Sequence, residues 1–365
     1  MFIEIKKFVK NCFLVFERIF IISFKVNFLS IKTATLKETI YEKNTHGFKS
    51  CVLFCHYNKY GLILEQVREV CIFFQLLGID VIFLTTKVSD ESRNWLGKNV
   101  SVVITRKNLG RDFGAWKDGI SFLQNRNLFA NCSELYLIND SAIFIPNNLN
   151  NERFKNEFIN DIDTDAIGLT ESWQQAYHLQ SYFLKFNKRL IHSKTFYDYW
   201  TNYPLINSRL FSIENGEIGI SQTLLHNGYN LKALYSVSEL LRKESINKFL
   251  SVFDALTVPN LDRIKDSVFN EFFAIDFTQM NPSHRLWALL LSNDCPVLKK
   301  DMVERNPENL VSIRYFMYLI ESYIDDKQVK GVILDALCHI KLQYKFKGIS
   351  INSKSLRILQ PSDET

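Results

Sequence analysis

The sequence predicts an α/β protein: a mainly parallel sheet with flanking helices, an amphipathic N-terminal helix before it and a helical part after it. Two observations predict this. From residue 50 short apolar runs alternate with amphipathic stretches of about a dozen residues, as strands buried on both faces and joined by crossover helices do. Each apolar run also ends in a polar cluster, where the chain leaves a strand for a loop. The 47% hydrophobic and 23% charged content is that of an ordinary folded chain.

Residues 1–45 form an amphipathic N-terminal segment. MFIEIKKFVKNCFLVFERIFIISFKVNFLSIK carries Phe and Ile at helical intervals, but Glu17, Arg18 and Lys25 interrupt every window long enough to span a bilayer. It lacks a small-residue cleavage site, which disfavours secretion. Seven basic side chains from Lys6 to Lys37 face only Glu4, Glu17 and Glu38. That balance suits a helix on an anionic membrane surface, and equally one packed on the protein body.

Residues 46–240 form the α/β domain. CVLFCHYN (51–58) is a strand, LEQVREVCIFFQLLG (64–78) an amphipathic helix stopped by glycine, and DVIFLTT (80–86) a second strand. VSVVIT (100–105) is a third, followed by a glycine turn and a helix; ELYLIND (134–140) and DAIGLTES (165–172) are the fourth and fifth. SYFLKFNKRLIHSKTFYDYWTNY and GEIGISQTLLHNGYNLKALY read as amphipathic helical stretches, the second stopped at Asn227-Gly228. Residues 241–365 are mostly helical.

In an open parallel sheet ligands sit beyond the carboxyl ends of the strands. That edge would carry His56 and Tyr57, then Thr85 and Asp90, then Asn108 to Asp112, then Asn139, Asp140 and Ser141, with Glu171 closing the fifth strand. In the turn, Gly110 and Gly114 let backbone approach a ligand and Arg111 offers a fork for a diphosphate. An Asp112 helix cap would look much the same. Asp140, delivered by an apolar strand, suits a Mg²⁺ or Mn²⁺ bridging phosphates, or a turn cap. Glu217 opens a helix, where capping is its default role, and could instead accept the proton of an attacking hydroxyl; Glu214 is the substitute in another register.

The net charge of +5 is modest, and no Lys/Arg block interleaves with aromatics, so nucleic acid is not an expected partner. The seven cysteines show no CxxC pair and read as reduced core residues of a cytosolic protein; Cys51, Cys55 and His56 make an unconvincing metal set. A GxSxG hydrolase elbow and a P-loop are both missing.

The order of motifs resembles the nucleotide-sugar glycosyltransferases of the GT-A fold. More closely, Asn108-Leu-Gly110-Arg111-Asp112-Phe113-Gly114-Ala115-Trp116 followed by Asn139-Asp140-Ser141 resembles the rhamnan synthesis protein F family of bacterial polysaccharide assembly. NPSHRLWALLLSNDCPVLKKDMVERNP (281–307) is similar to that family's C-terminal signature.

The resemblance implies a GT-A-like glycosyltransferase moving a sugar from a nucleotide-sugar donor to a glycan or lipid-linked acceptor of a cell-surface polysaccharide, on the cytoplasmic side of the membrane and held peripherally. By that likeness Asp90 and Asn108 lie near the nucleoside, and Arg111, Asp112 and Trp116 on the donor side with His56, Tyr57 and Thr85. Asp140 lies by a divalent cation and Glu217 by the acceptor hydroxyl. The alternative is a non-catalytic sugar-nucleotide-binding or scaffold protein. One departure matters: Asn139 stands where the fold's usual pattern has a second aspartate, which leaves either a weaker metal site or a metal-free one in which Arg111 or Lys117 offsets phosphate charge.

Overall fold

The computed structural model describes residues 47–251, 280–305 and 326–343 continuously, the strand 36–42, and scattered single residues elsewhere. The amphipathic stretch up to residue 35 lies outside the described residues, apart from the exposed Cys12, Val15 and Phe16.

The strands are β1 (Leu36–Glu42), β2 (Ser50–His56), β3 (Asp80–Thr85), β4 (Val102–Arg106), β5 (Glu134–Asn139), β6 (Ala142–Phe144), β7 (Ala166–Ser172), β8 (His178–Leu179), β9 (Phe183–Asn187), β10 (Leu231–Tyr235) and β11 (Val297–Lys299). The main sheet runs β1-β4-β3-β2-β5-β9-β7-β10, with β8 on β7. Strands β4, β3, β2 and β5 are mutually parallel, and β10 is parallel to β7. The α/β fold with a mainly parallel sheet and flanking helices is therefore the one the sequence predicts.

Three helices follow the first parallel strands: α1 (Glu65–Leu76), α2 (Asp90–Asn99) and α3 (Arg111–Asn125). The period-2 alternation of the strands divides their side chains between two cores. Val52, Phe54, Val81 and Phe83 pack with Val67, Val70, Cys71 and Phe74 of α1 on one face. Leu53, Ile82 and Leu84 pack with Phe113, Trp116, Ile120 and Leu123 of α3 on the other. Both helices bury positions three or four apart, the helical period read from the sequence.

After β2 the chain builds β3 and β4 to one side, and β5 then returns to the other side of β2. Connections reverse between β2 and β5, so a crevice opens at their carboxyl ends.

Three elements differ from the sequence expectation. Phe183–Asn187, read as helical, is strand β9, antiparallel to both β5 and β7. All five residues are buried, including Lys185, whose Nζ pairs with Glu134 at 2.7 Å and donates to the carbonyls of Ile159 and Asp161. Leu36–Glu42, taken as part of the N-terminal segment, pairs antiparallel with β4. Val297–Lys299, inside the stretch expected to be helical, pairs antiparallel with β6 and brings the C-terminal region against the sheet edge.

Candidate active site

The turn between β4 and α3 is fixed from several sides. Arg106, 2% exposed, donates from Nε to Asp118 Oδ2 at 2.7 Å and from Nη2 to the Leu109 carbonyl at 2.5 Å. The Asn207 side chain accepts from the Gly110 N–H at 2.6 Å and donates to the Asn108 carbonyl at 3.0 Å. Gly110 is left-handed, φ 77°, and so is Arg111 at φ 54°. A left-handed arginine costs on the order of 1 kcal/mol and persists only where its surroundings impose it. A Cβ on Gly114 would lie 2.3 Å from the Leu109 carbonyl oxygen, so the motif's second glycine answers a close backbone approach.

Asp112 is not the helix cap that a minimal reading of the turn offers. The N-cap is Gly110, and Asp112 accepts from Asn139 Nδ2 at 2.9 Å and from the Cys55 thiol at 3.7 Å. Burial, then the charge of Asp140, pushes its carboxyl above the usual range. Asn139 Oδ1 in turn accepts from the Ser141 N–H and hydroxyl, at 3.0 and 2.6 Å. Asp140 follows β5 directly and accepts from the Tyr57 N–H at 3.0 Å.

Two lysines absent from the sequence reading complete this cluster. Register with β6 sets Lys299 opposite Ala142. Its Nζ donates to Ser141 Oγ at 3.1 Å and lies 4.3 Å over the Tyr182 ring. Burial lowers its pKa, while Glu217, Asp301 and Asp112 oppose that shift. Lys300 reaches Asp140 Oδ2 at 3.8 Å. Lys117, a sequence candidate for offsetting phosphate charge, instead donates to the carbonyls of Thr201 and Tyr203, at 2.8 and 2.6 Å.

A cleft of about 540 Å³ opens here, lined by Tyr57, Asn108, Arg111, Asp112, Asp140 and Lys300, among others. His56 also lines it but is 3% exposed, its Nδ1 3.2 Å from Thr85 Oγ1; burial lowers its pKa to about 4. Thr85 therefore supports His56 from below and is itself buried. Asp90 is exposed at the start of α2 and Glu171 lies at the end of β7, neither of them in the cleft wall. Trp116, expected on the donor side, is wholly buried with its indole N–H on the Leu53 and Ile138 carbonyls; it holds α3 to the sheet and cannot touch a ligand.

Glu217 does not open a helix. Ser212–Ile218, which holds both Glu214 and Glu217, is a π-helical turn between helical Arg209–Phe211 and Gly219–His226. Such insertions recur at functional sites. Glu217 Oε1 accepts from the Ser181 N–H and hydroxyl at 2.7 and 3.1 Å, and its charge reaches Lys299.

Among the described residues no three or more His, Cys, Asp or Glu side chains gather as metal ligands. Asp112 and Asp140 nevertheless supply two hard carboxylates whose repulsion a cation would relieve. Mg²⁺ or Mn²⁺ commonly takes one or two such groups and completes its shell with phosphate and water.

A model of the family described as Rhamnan synthesis protein F matches residues 81–261. The chain is 29% identical over 170 residues to an uncharacterised protein, y4gN, of Sinorhizobium fredii, covering 46% of this chain and 43% of that one. It is 26% identical over 224 residues to the virulence protein VirA of Vibrio anguillarum, covering 58% and 65%. The matches thus span 43% and 65% of those relatives' own lengths. Among solved structures, a mannosyltransferase of Pyrobaculum calidifontis in complex with GDP-Man and Mn²⁺ aligns over 90% of this chain and 96% of that one, at 10% identity and a TM-score of 0.35. No described helix is long and apolar enough to cross a membrane.

Proposed function

We propose, from the match of residues 81–261 to the family described as Rhamnan synthesis protein F, that this chain is a glycosyltransferase. Its substrates on this reading are a nucleotide-sugar donor and a glycan or lipid-linked glycan acceptor of a cell-surface polysaccharide. The observation that carries the proposal is the cleft at the β2/β5 reversal, where Arg111, Lys300, Asp112 and Asp140 converge on one space. A diphosphate needs cationic forks and, commonly, a carboxylate-held metal, and this space offers both.

In the proposed reaction Arg111 and Lys300 face the diphosphate, and the exposed Tyr57 ring offers a stacking face for the base. Asp140 and Asp112 would hold a divalent cation, which when bound neutralises charge on the departing nucleoside diphosphate. The acceptor oxygen attacks the anomeric carbon as the bond to the diphosphate breaks, and its proton passes to Glu217. Ser181 occupies Oε1 of that carboxylate and so sets the direction of Oε2. In-line attack inverts the anomeric centre. The protein works at the cytoplasmic face of the membrane that carries its acceptor.

The test is thermal stability against a panel of nucleoside diphosphates and their sugars, with and without Mn²⁺. A ligand at 100 times its Kd adds about 2.7 kcal/mol, a visible shift. One nucleotide class should stabilise the chain, Asp140→Asn should remove the Mn²⁺ increment, and Glu217→Gln should keep the nucleotide shift while abolishing transfer. If no nucleotide stabilises the chain, the catalytic reading falls. A sugar-binding scaffold, favoured by the engagement of Asp140 with Tyr57 and Lys300, then takes its place.

A further inference from the structure

Trp173 and Tyr177 take no part in the chemistry above, yet the fold holds them at the same sheet edge. Strand β9 is antiparallel to both its neighbours, so β7 runs parallel to β5 and both end at the cleft side. Register sets Leu137 opposite Leu184 and Leu184 opposite Gly168, which makes Asn139 level with Thr170. Trp173 then emerges just past the edge, two strands from Asp140, a lateral distance of roughly 10 Å. Between them lies Ser181, on the connection from β8 to β9, with Glu217 bound to it.

The loop is rigidly tied. Glu171 accepts from the Val237 N–H at 3.1 Å and from the Tyr177 hydroxyl. Gln222 Nε2 donates to the Tyr177 carbonyl at 2.7 Å, and Gln175 is held left-handed at φ 67°. The Trp173 and Tyr177 rings meet edge to face, centroids 4.8 Å apart, yet Trp173 stays 49% exposed.

A lone exposed aromatic needs no explanation. A tethered pair, flanked by Ser172, Gln174 and Gln175 instead of further apolar side chains, has the character of a built surface. Its flat apolar ring and neighbouring amides and hydroxyls match a pyranose, which presents a C–H face and a rim of hydroxyls. A hydrophobic partner would find too little apolar area.

We propose that Trp173 and Tyr177 form a carbohydrate platform on which the acceptor glycan stacks, with its reacting end directed along the edge toward Glu217. The acceptor assignment rests on the glycosyltransferase reading above; the carbohydrate site itself does not.

The experiment measures direct binding of methyl glycosides and disaccharides of rhamnose, mannose, glucose and N-acetylglucosamine to the full chain, by calorimetry and without nucleotide. Wild type, Trp173→Ala and Trp173→Phe are compared, with the nucleotide thermal shift recorded on each. Trp173 is the most exposed of the five tryptophans, so sugar-induced quenching of its emission gives a second readout. At least one saccharide should bind, Trp173→Ala should weaken it about tenfold, the scale of losing some 50 Å² of apolar burial, and Trp173→Phe should largely restore it. The nucleotide shift should be the same in all three. Absence of saccharide binding in wild type, or equal binding by Trp173→Ala, overturns the platform. Trp173-dependent binding without any nucleotide shift keeps the carbohydrate site and sinks the donor reading alone.

Discussion

Replacing Asp118 by alanine tests how the NxGRDxGxW turn is held. The Arg106–Asp118 pair is buried, with side chains 2% and 9% exposed and an Nε···Oδ2 distance of 2.7 Å. Removing one partner of such a pair leaves an uncompensated charge and costs about 3–5 kcal/mol. The gain in helix propensity from Asp to Ala returns only about 0.5 kcal/mol. At roughly 2–4 °C per kcal/mol for a domain of this size, Asp118→Ala should melt on the order of 5–18 °C lower, with a matching fall in the urea midpoint.

The double variant Arg106→Met/Asp118→Leu separates stability from shape. Replacing a buried pair by apolar residues of similar volume is often neutral. Most of the lost stability should therefore return, but the Leu109 carbonyl loses its Nη2 donor and the turn carrying Arg111 and Asp112 loosens. Nucleotide-induced stabilisation should stay weak in the double variant. An Asp118→Ala protein within 1 kcal/mol of wild type would show that the pair is not a buried clamp. Full nucleotide response in the double variant would show that Arg106 does not shape the turn.

Two further predictions follow from the same edge of the sheet. His56 is buried and its pKa falls from 6.5 to about 4; stability from keeping it neutral is present above the unfolded value and is lost as pH falls from about 6.5 toward 4. The loss from this group is about 3 kcal/mol, His284 adds to it in the same direction, and His56→Gln should flatten the urea-unfolding profile between pH 7 and 4.5. An unaltered slope would mean that His56 ionises freely in the folded chain. Gly114→Ala sets about 1 kcal/mol of helix propensity against a Cβ 2.3 Å from a backbone oxygen and should lose about 1–3 kcal/mol, whereas Gly331→Ala, with open space around its Cβ in helix Lys327–Gln343, should be neutral or stabilising. Equal thermal shifts for the two glycine variants would contradict the close approach.

The parts of the fold that were legible are those whose burial is decided locally. CVLFCH, DVIFLT and ELYLIN are apolar between their end residues, and their crossover helices repeat every three or four residues, so strand, helix and parallel order follow from pattern. Strand β9 was not legible because FLKFN contains Lys185, and a buried lysine makes sense only once Glu134 and the Ile159 and Asp161 carbonyls surround it. Lys299 and Lys300 escaped for a similar reason: nothing in PVLKK states that it will pair with a strand some 155 residues earlier.

The motif residues themselves were legible, but their partnerships were not, and Asn139 shows the difference. In the sequence it stands as a lost aspartate and a lost negative charge. In the fold its amide donates to Asp112 while its oxygen receives Ser141, so an aspartate there would set a second carboxylate 2.9 Å from the first, beside a third at Asp140. Asp112 on the turn and Asp140 after the strand already stand on either side of residue 139, and an amide between them adds no third charge to that partly dry space.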